Sequence, residues 1–365
     1  MRSSVMVNPL NPAAYSLTPR QGFLFDFGVE GVNFYNRQQK YADGAQTTSR
    51  TSYNTFNFHD IAFQLPLARR LGLGFSLTPY SSVGYRVSAD EQSDDVWGNI
   101  GRVQYLYAGE GDLTEVKLGI GWEVVKRVSI GVAAQYYWGD IERTYQTVVS
   151  NNIVNGGSVN TVTGTDSYGI SRIKMQLGLQ ADLIQSERQV LTLGATYDMG
   201  GNLRPSVNQT VVNGDIYGTV VRGDTTRMAL KLPVQLGVGL YYQNAKIAAG
   251  VDYIYQNWEN NESPKSVPGA VNVAYKNTNT VKLGFEYTPN RMDIRNYLKR
   301  WSYRVGFRYG TYYQTFEGKT LSQYAVTAGF GMPVRFLGRS SIDFGVEFGQ
   351  RGNDSPLRID NRQIG

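Results

Sequence analysis

The chain has 365 residues, with 41 glycines, 26 tyrosines, one histidine, no cysteine and a formal net charge of +6. Zero cysteine excludes disulfides and thiolate metal sites, and the scattered basic residues lack the arm or aromatic–basic module of a nucleic-acid binder. No run reaches the ~18 consecutive apolar residues of a transmembrane helix, and the mean hydropathy of -0.35 suggests a water-soluble protein unless polar side chains are hidden inside.

Residues Met1 to Val7 lack a basic segment followed by a long apolar core. The chain therefore reads as a mature or trimmed form. Next comes Asn8-Pro9-Leu10-Asn11-Pro12-Ala13-Ala14-Tyr15. Pro9 and Pro12 fix φ and remove two backbone donors, and Asn8 and Asn11 each precede a proline, which favours turns or extended geometry. Residues 1–21 are thus a non-strand plug candidate.

From residue 22 the pattern changes to a period of two. Phe23, Phe25, Phe27 and Val29 alternate with Leu24, Asp26, Gly28 and Glu30. Such alternation marks a strand with one greasy and one polar face. In strand 52–65 the phase slips around His59 and Asp60. In strand 71–87 it slips between Leu77 and Val83, beside Pro79 and Gly84. Proline inside a sheet belongs at an edge or a bulge, so Pro79 predicts a kink.

The same phase continues in 99–124, 128–139, 170–182, 189–199, 226–242, 246–257, 278–288, 302–313, 321–334 and 340–350. In 226–242, Met228, Leu230, Leu232, Val234, Leu236, Val238, Leu240 and Tyr242 occupy every second position. A strand of that length is on the order of 50 Å at 3.3 Å per residue. Soluble strands usually run only about 3 to 10 residues, so a tall apolar environment is required.

Short turns near 66–71, 125–128, 183–189, 243–246 and 335–340 alternate with long polar segments at 36–52, 88–111, 139–171, 200–225 and 257–278. That asymmetry, the glycine and tyrosine content and the aromatic clusters at strand ends fit an outer-membrane barrel. The expectation is an all-β transmembrane antiparallel β-barrel over residues 22–365. Thirteen strands are visible. Bacterial barrels have an even number, which predicts about 14, with the closing strand beyond the polar segment Arg351 to Gly365. Residues 290–301 are unusual for a short-turn position. Met292, Tyr297 and Leu298 lie beside Arg291, Arg295, Lys299 and Arg300, which reads either as an interfacial helix or as a partner-facing segment.

The chemistry of catalysis is not singled out. His59 has Asp60 beside it, but no nucleophile is marked against the pair. Asp90, Glu91, Asp94 and Asp95 read as a solvated external loop rather than a cation site. No phosphate-binding glycine loop occurs, and no cofactor or metal is expected.

The Asn11-Pro12-Ala13 tripeptide ahead of this strand layout resembles the start of the FadL-like outer-membrane proteins, the long-chain fatty-acid transporter family. Further likeness lies in Gly109-Glu110-Gly111-Asp112-Leu113 and in Leu71 to Phe75. The resemblance implies a fourteen-stranded barrel plugged by an N-terminal hatch, here carrying Asn8, Pro9, Asn11, Pro12 and Ala13. It also implies a third strand that opens the wall sideways, for which Pro79 and Gly84 are the candidates. Family members have a longer hatch and a closing strand, and both departures fit a chain lacking its ends. The implied function is passive uptake of a hydrophobic small molecule across the outer membrane of a Gram-negative bacterium. The alternative is an accessory or scaffold barrel in an outer-membrane assembly or secretion complex. Expected partners are membrane lipid, lipopolysaccharide, a hydrophobic ligand and other outer-membrane or periplasmic proteins.

Overall fold

The computed structural model describes residues 7–19, 22–42, 45–91, 93–154, 156–214, 219–222, 226–227, 231–259, 273–316, 318–334, 340–352 and 362–364. Their strands form one antiparallel sheet of 18 strands and a separate two-stranded pair. Thirteen long strands make the wall. They are β1 (Leu24–Ala42), β2 (Ala45–Ala68), β3 (Leu71–Asp90), β4 (Arg102–Val125), β5 (Val128–Asn152), β6 (Ser158–Gln185), β7 (Gln189–Asp198), β8 (Val234–Asn244), β9 (Ile247–Asn257), β10 (Thr278–Tyr287), β11 (Ser302–Phe316), β12 (Lys319–Val334) and β13 (Ser340–Arg351). Each pairs with the next in chain order.

The alternation read from the sequence sorts side chains inside out relative to a soluble protein. Phe25, Ile120, Val238 and Phe344 are exposed, whereas Gln64, Gln135, Gln176 and Gln180 are buried. Leu236 is 45% exposed, and its neighbour Gln235 donates inward to Asp198 at 3.2 Å. An apolar belt of this extent on a monomer's surface faces lipid.

The polar stretches between strands are less loop-like than expected. β4, β5 and β6 run to 24, 25 and 28 residues, against 10 or 11 for β7 to β10. Much of the predicted loop 139–171 is paired strand, as is most of 36–52. Above the belt both faces of a strand meet water, so pairing continues without an apolar alternation. The predicted strand 226–242 is interrupted instead. Lys231–Leu232 pairs with Gly201–Asn202, and β8 begins after Pro233, which has no N–H for the ladder. Met228 to Leu230 lie outside the described residues.

At the seam between the first and last strands, residues 362–364 form a short bridge. They pair with Asn33, Phe34 and Tyr35 of β1 and with Phe348 and Gly349 of β13. Below that bridge the facing edges of β1 and β13 carry no pairing among the described residues, so the sheet is not a closed ring.

Candidate functional site

The N-terminal segment sits inside the barrel. Asn11 starts a short 3-10 helix, Pro12–Leu17, and its side-chain oxygen accepts from the Ala13 N–H at 3.0 Å. Proline suits the first helical position because its missing donor would be unused there. The Asn11 amide then reaches two wall strands, donating to the carbonyls of Leu179 at 3.1 Å and Ala195 at 3.3 Å. Gln64 of β2 donates to Thr18 Oγ1 at 2.6 Å. Lys117 of β4 donates to the Pro9 carbonyl at 3.1 Å, and Ser16 bonds Ser129 of β5 at 2.8 Å. Tyr15 is fully buried and its hydroxyl makes no hydrogen bond among the described residues. Burial first, and Glu115 second, push that hydroxyl well above its ordinary pKa, so it stays neutral.

The fit depends on glycine at inward wall positions. A Cβ on Gly121 of β4 would overlap the Pro12 carbonyl, and one on Gly131 of β5 would overlap the Pro12–Ala13 peptide. Gly74 of β3 and Gly178 of β6 stand in the same relation to the Tyr15 ring and to Asn11. Four consecutive strands thus form a bare groove that admits the hatch backbone. Sequence reasoning read these glycines only as strand positions. Their spacing, with Gly72 and Gly74 beside Gly119 and Gly121, was the available signal.

Above the hatch lies a chamber of about 410 Å³ that the hatch residues Asn8 to Asn11 help to line. Its lining mixes apolar groups such as Tyr80, Tyr137, Leu232 and Ile254 with charged and amide side chains. Lys117 and Glu115 face each other at 3.3 Å with side chains 7% and 9% exposed. Gln135 and Gln235 both donate to Asp198, each at 3.2 Å, and Gln256 donates to Gln235 at 2.7 Å. Further round the lumen, Arg304 bonds Glu286 at 2.8 Å and also Asp343, and Arg308 bonds Glu347 at 2.6 Å. Met199, Leu232 and Pro233, at the two ends of the segment between β7 and β8, also line the chamber. In that segment Leu203 is fully buried against Leu113 and Ile170, and Arg172 donates to its carbonyl at 3.0 Å.

The wall itself parts between β2 and β3. Their pairing runs from Ala68↔Leu71 up to Ile61↔Leu77 and stops. Higher up, β2 pairs only with β1, and β3 only with β4. Both strands bulge where they separate. The β3–β4 register shifts between Pro79 and Ser81, leaving Tyr80 unpaired. The β1–β2 register shifts so that Gly28 faces Asp60 and Val29 faces Phe58, leaving His59 unpaired. One extra residue on each side bends the strands out of register. Tyr80 turns inward and meets the Tyr137 ring edge-on at 4.8 Å. Gly84 lies further up β3, opposite Glu110, with open space around it. His59 Nδ1 bonds Asp60 at 2.7 Å. The parting lies at the height of Phe56 and Phe58, on the upper part of the apolar face of β2.

Residues 290–301 cross the periplasmic rim between β10 and β11. Arg291 pairs with Glu286 at 3.4 Å, Tyr297 donates to the Pro333 carbonyl at 2.8 Å, and Arg300 lies over the Tyr297 ring at 5.3 Å. Arg295 and Lys299 are exposed.

Solved structures share this architecture. The Pseudomonas putida toluene transporter TodX matches with a TM-score of 0.62 at 16% identity, covering 100% of this chain and 93% of that one. A Pseudomonas aeruginosa FadL homologue matches with a TM-score of 0.61 at 13% identity, covering 97% and 89%. The Ralstonia pickettii toluene transporter TbuX gives 0.52 at 14% identity, covering 97% and 96%. These likenesses show a FadL-type β-barrel fold. No curated protein matches the chain. The BamG family model spans residues 1–361, and the chain belongs to the BamG family.

Proposed function

We propose that the barrel passively admits small hydrophobic molecules and releases them sideways into the outer membrane through the β2–β3 parting. The single observation carrying this reading is that the wall unzips above Ile61 and Leu77 while remaining zipped below. A hydrophobic solute needs no route through the polar lower lumen. By alternation from Leu113, the side chains of Val83 and Tyr85 face inward above the bulge, offering an apolar surface on the approach to the parting. The outer wall would contact membrane lipid and lipopolysaccharide. The FadL-type neighbours include toluene transporters, which supports a hydrophobic cargo.

The test is uptake of a labelled hydrophobic panel by cells lacking the protein and complemented in trans. The wild type should restore uptake. Deleting Tyr80 removes the extra residue, lets β3 continue in register with β2, and should abolish the gain. Unchanged uptake after Tyr80 deletion, or after loss of the whole protein, would sink the proposal.

A second reading is an accessory barrel in an outer-membrane assembly or secretion complex. The BamG family match and the ion pairs that brace the lumen wall favour it, because such a role requires no passage. Purification in mild detergent separates the two. Stoichiometric partner proteins support the scaffold, and a lone barrel holding detergent or lipid supports transport.

A further inference from the structure

The rim segment between β10 and β11 carries two side chains with almost no contact. Ile294 is 98% exposed and Met292 is 82% exposed, and Leu298 is 55% exposed beside them. Exposed aliphatic groups of this degree mark a surface that is covered by something else. The segment is nevertheless rigid in its own bonding. Asp293 accepts from the N–H groups of Arg295 and Asn296 at 2.9 and 2.7 Å. Asn296 caps Leu298 at 3.0 Å, and the Asn290 N–H donates to the Lys299 carbonyl at 2.8 Å. The segment is preorganised, and its exposure is not that of a loose loop.

Its attachment points identify the covering phase. Phe344 and Phe330 belong to the outward, lipid-facing side of β13 and β12. Phe330 stacks on Trp301 at 5.0 Å, and Trp301 meets Tyr297 edge-on at 6.0 Å. Tyr303, on the same outward side, donates to the Leu298 carbonyl at 3.1 Å. The rim segment therefore continues the lipid belt without a break. It ends in Arg295, Lys299 and Arg300, with Arg291 turned to Glu286. Aromatic and aliphatic groups followed by cations are the order expected on passing from acyl chains to headgroups.

We propose that residues 291–301 form a headgroup site for an anionic phospholipid of the periplasmic leaflet. Arg295, Lys299 and Arg300 hold the phosphate, while Met292, Ile294 and Leu298 enter the acyl boundary. Arginine's planar fork suits phosphate oxygens, and each cation near an anionic membrane surface contributes about fivefold in affinity.

The experiment uses the purified full chain in detergent, exposed to equimolar phosphatidylglycerol and phosphatidylcholine of identical acyl chains and read by native mass spectrometry. The wild type should retain phosphatidylglycerol at least about tenfold over phosphatidylcholine, since three cations act together. The triple variant Arg295→Gln, Lys299→Gln, Arg300→Gln should bring the two lipids to parity with phosphatidylcholine unchanged. Heat-modifiable gel mobility checks that the barrel is folded, and single Lys299→Gln should cost severalfold by itself. Equal retention of both lipids by the wild type overturns the proposal. So does an undiminished preference in the triple variant, or a periplasmic protein whose binding needs these cations without any preference for the anionic lipid.

Discussion

Replacing Asn11 with alanine should undock the hatch without unfolding the barrel. The side chain makes three hydrogen bonds, accepting from Ala13 at 3.0 Å and donating to the Leu179 and Ala195 carbonyls at 3.1 and 3.3 Å. At about 1 kcal/mol net each, the limit is ~3 kcal/mol. Both carbonyls lie in wall strands and can accept a second bond, so their loss leaves no orphan. The N-cap bond is the costlier one, since the Ala13 N–H is buried and has no other acceptor nearby. We expect about 2 kcal/mol, which shifts the docked-to-undocked ratio roughly thirtyfold. Amide hydrogen exchange reads this directly. The Ala14 and Thr18 amides, bonded within the helix, should exchange roughly thirtyfold faster, while amides of β4 and β5 stay unchanged. Unaltered exchange at Ala14 would refute the anchoring argument. Uniform acceleration across the wall would refute the claim that the hatch is a separable unit.

Other consequences follow from the same geometry. Gly131→Val places side-chain atoms where the Pro12–Ala13 peptide lies, so the hatch should become protease-sensitive and the barrel should conduct ions in planar bilayers; silent membranes would count against a plug. Val238→Arg puts a charge on the lipid side of β8 and should cost about 2–4 kcal/mol in urea unfolding from liposomes if it lies near the midplane. An unchanged midpoint would place Val238 away from lipid. Asp293 is held below the usual carboxylate range chiefly by the Asn296 N–H, with the Arg295 N–H assisting. Its folded pKa is depressed, so its support of the rim segment is present at neutral pH and lost as pH falls through that lowered value. Titration followed by carboxyl carbon shifts should show a midpoint below the ~3.9 of a free aspartate, and a midpoint at or above it would contradict the turn geometry.

The wall was legible in the sequence because lipid imposes a strict rule on one face. Leu236, Val238 and Leu240 alternate for a reason that no loop or soluble core supplies. Where lipid ends, the rule ends, and so did the reading. The upper parts of β5 and β6 looked like loop because polar residues such as Thr144, Gln146, Thr161 and Thr163 break the apolar alternation there, although the strands remain paired. Pro233 lay inside a perfect alternation, yet its missing donor interrupts the ladder, so that β8 begins only at Val234 and Lys231–Leu232 pair with Gly201–Asn202 instead. The two bulges left a trace, since a single inserted residue flips every later side chain to the other face. The phase slips at His59 and beyond Leu77 are those flips. The hatch socket left almost none. Gly74, Gly121, Gly131 and Gly178 become meaningful only once four strands stand side by side, and pairing register is a property of the fold rather than of any one segment.

The chamber chemistry bears on which way cargo can move. Lys117 and Glu115 are buried together, and each also serves other groups: the Pro9 carbonyl accepts from Lys117, and Glu115 lies close enough to raise the Tyr15 hydroxyl. An apolar solute entering the chamber would lie against this buried ion pair and its amide neighbours, which offer it no apolar partner at those points. Entering lipid through the parting instead returns about 25 cal/mol per Å² of its apolar surface. On the transport reading, the buried Lys117–Glu115 pair helps keep an apolar solute from settling in the chamber, and neutralising both together, as Lys117→Met with Glu115→Leu, should let hydrophobic solute accumulate there and slow its exit. Faster exit in that double variant would mean that the route runs through the chamber after all.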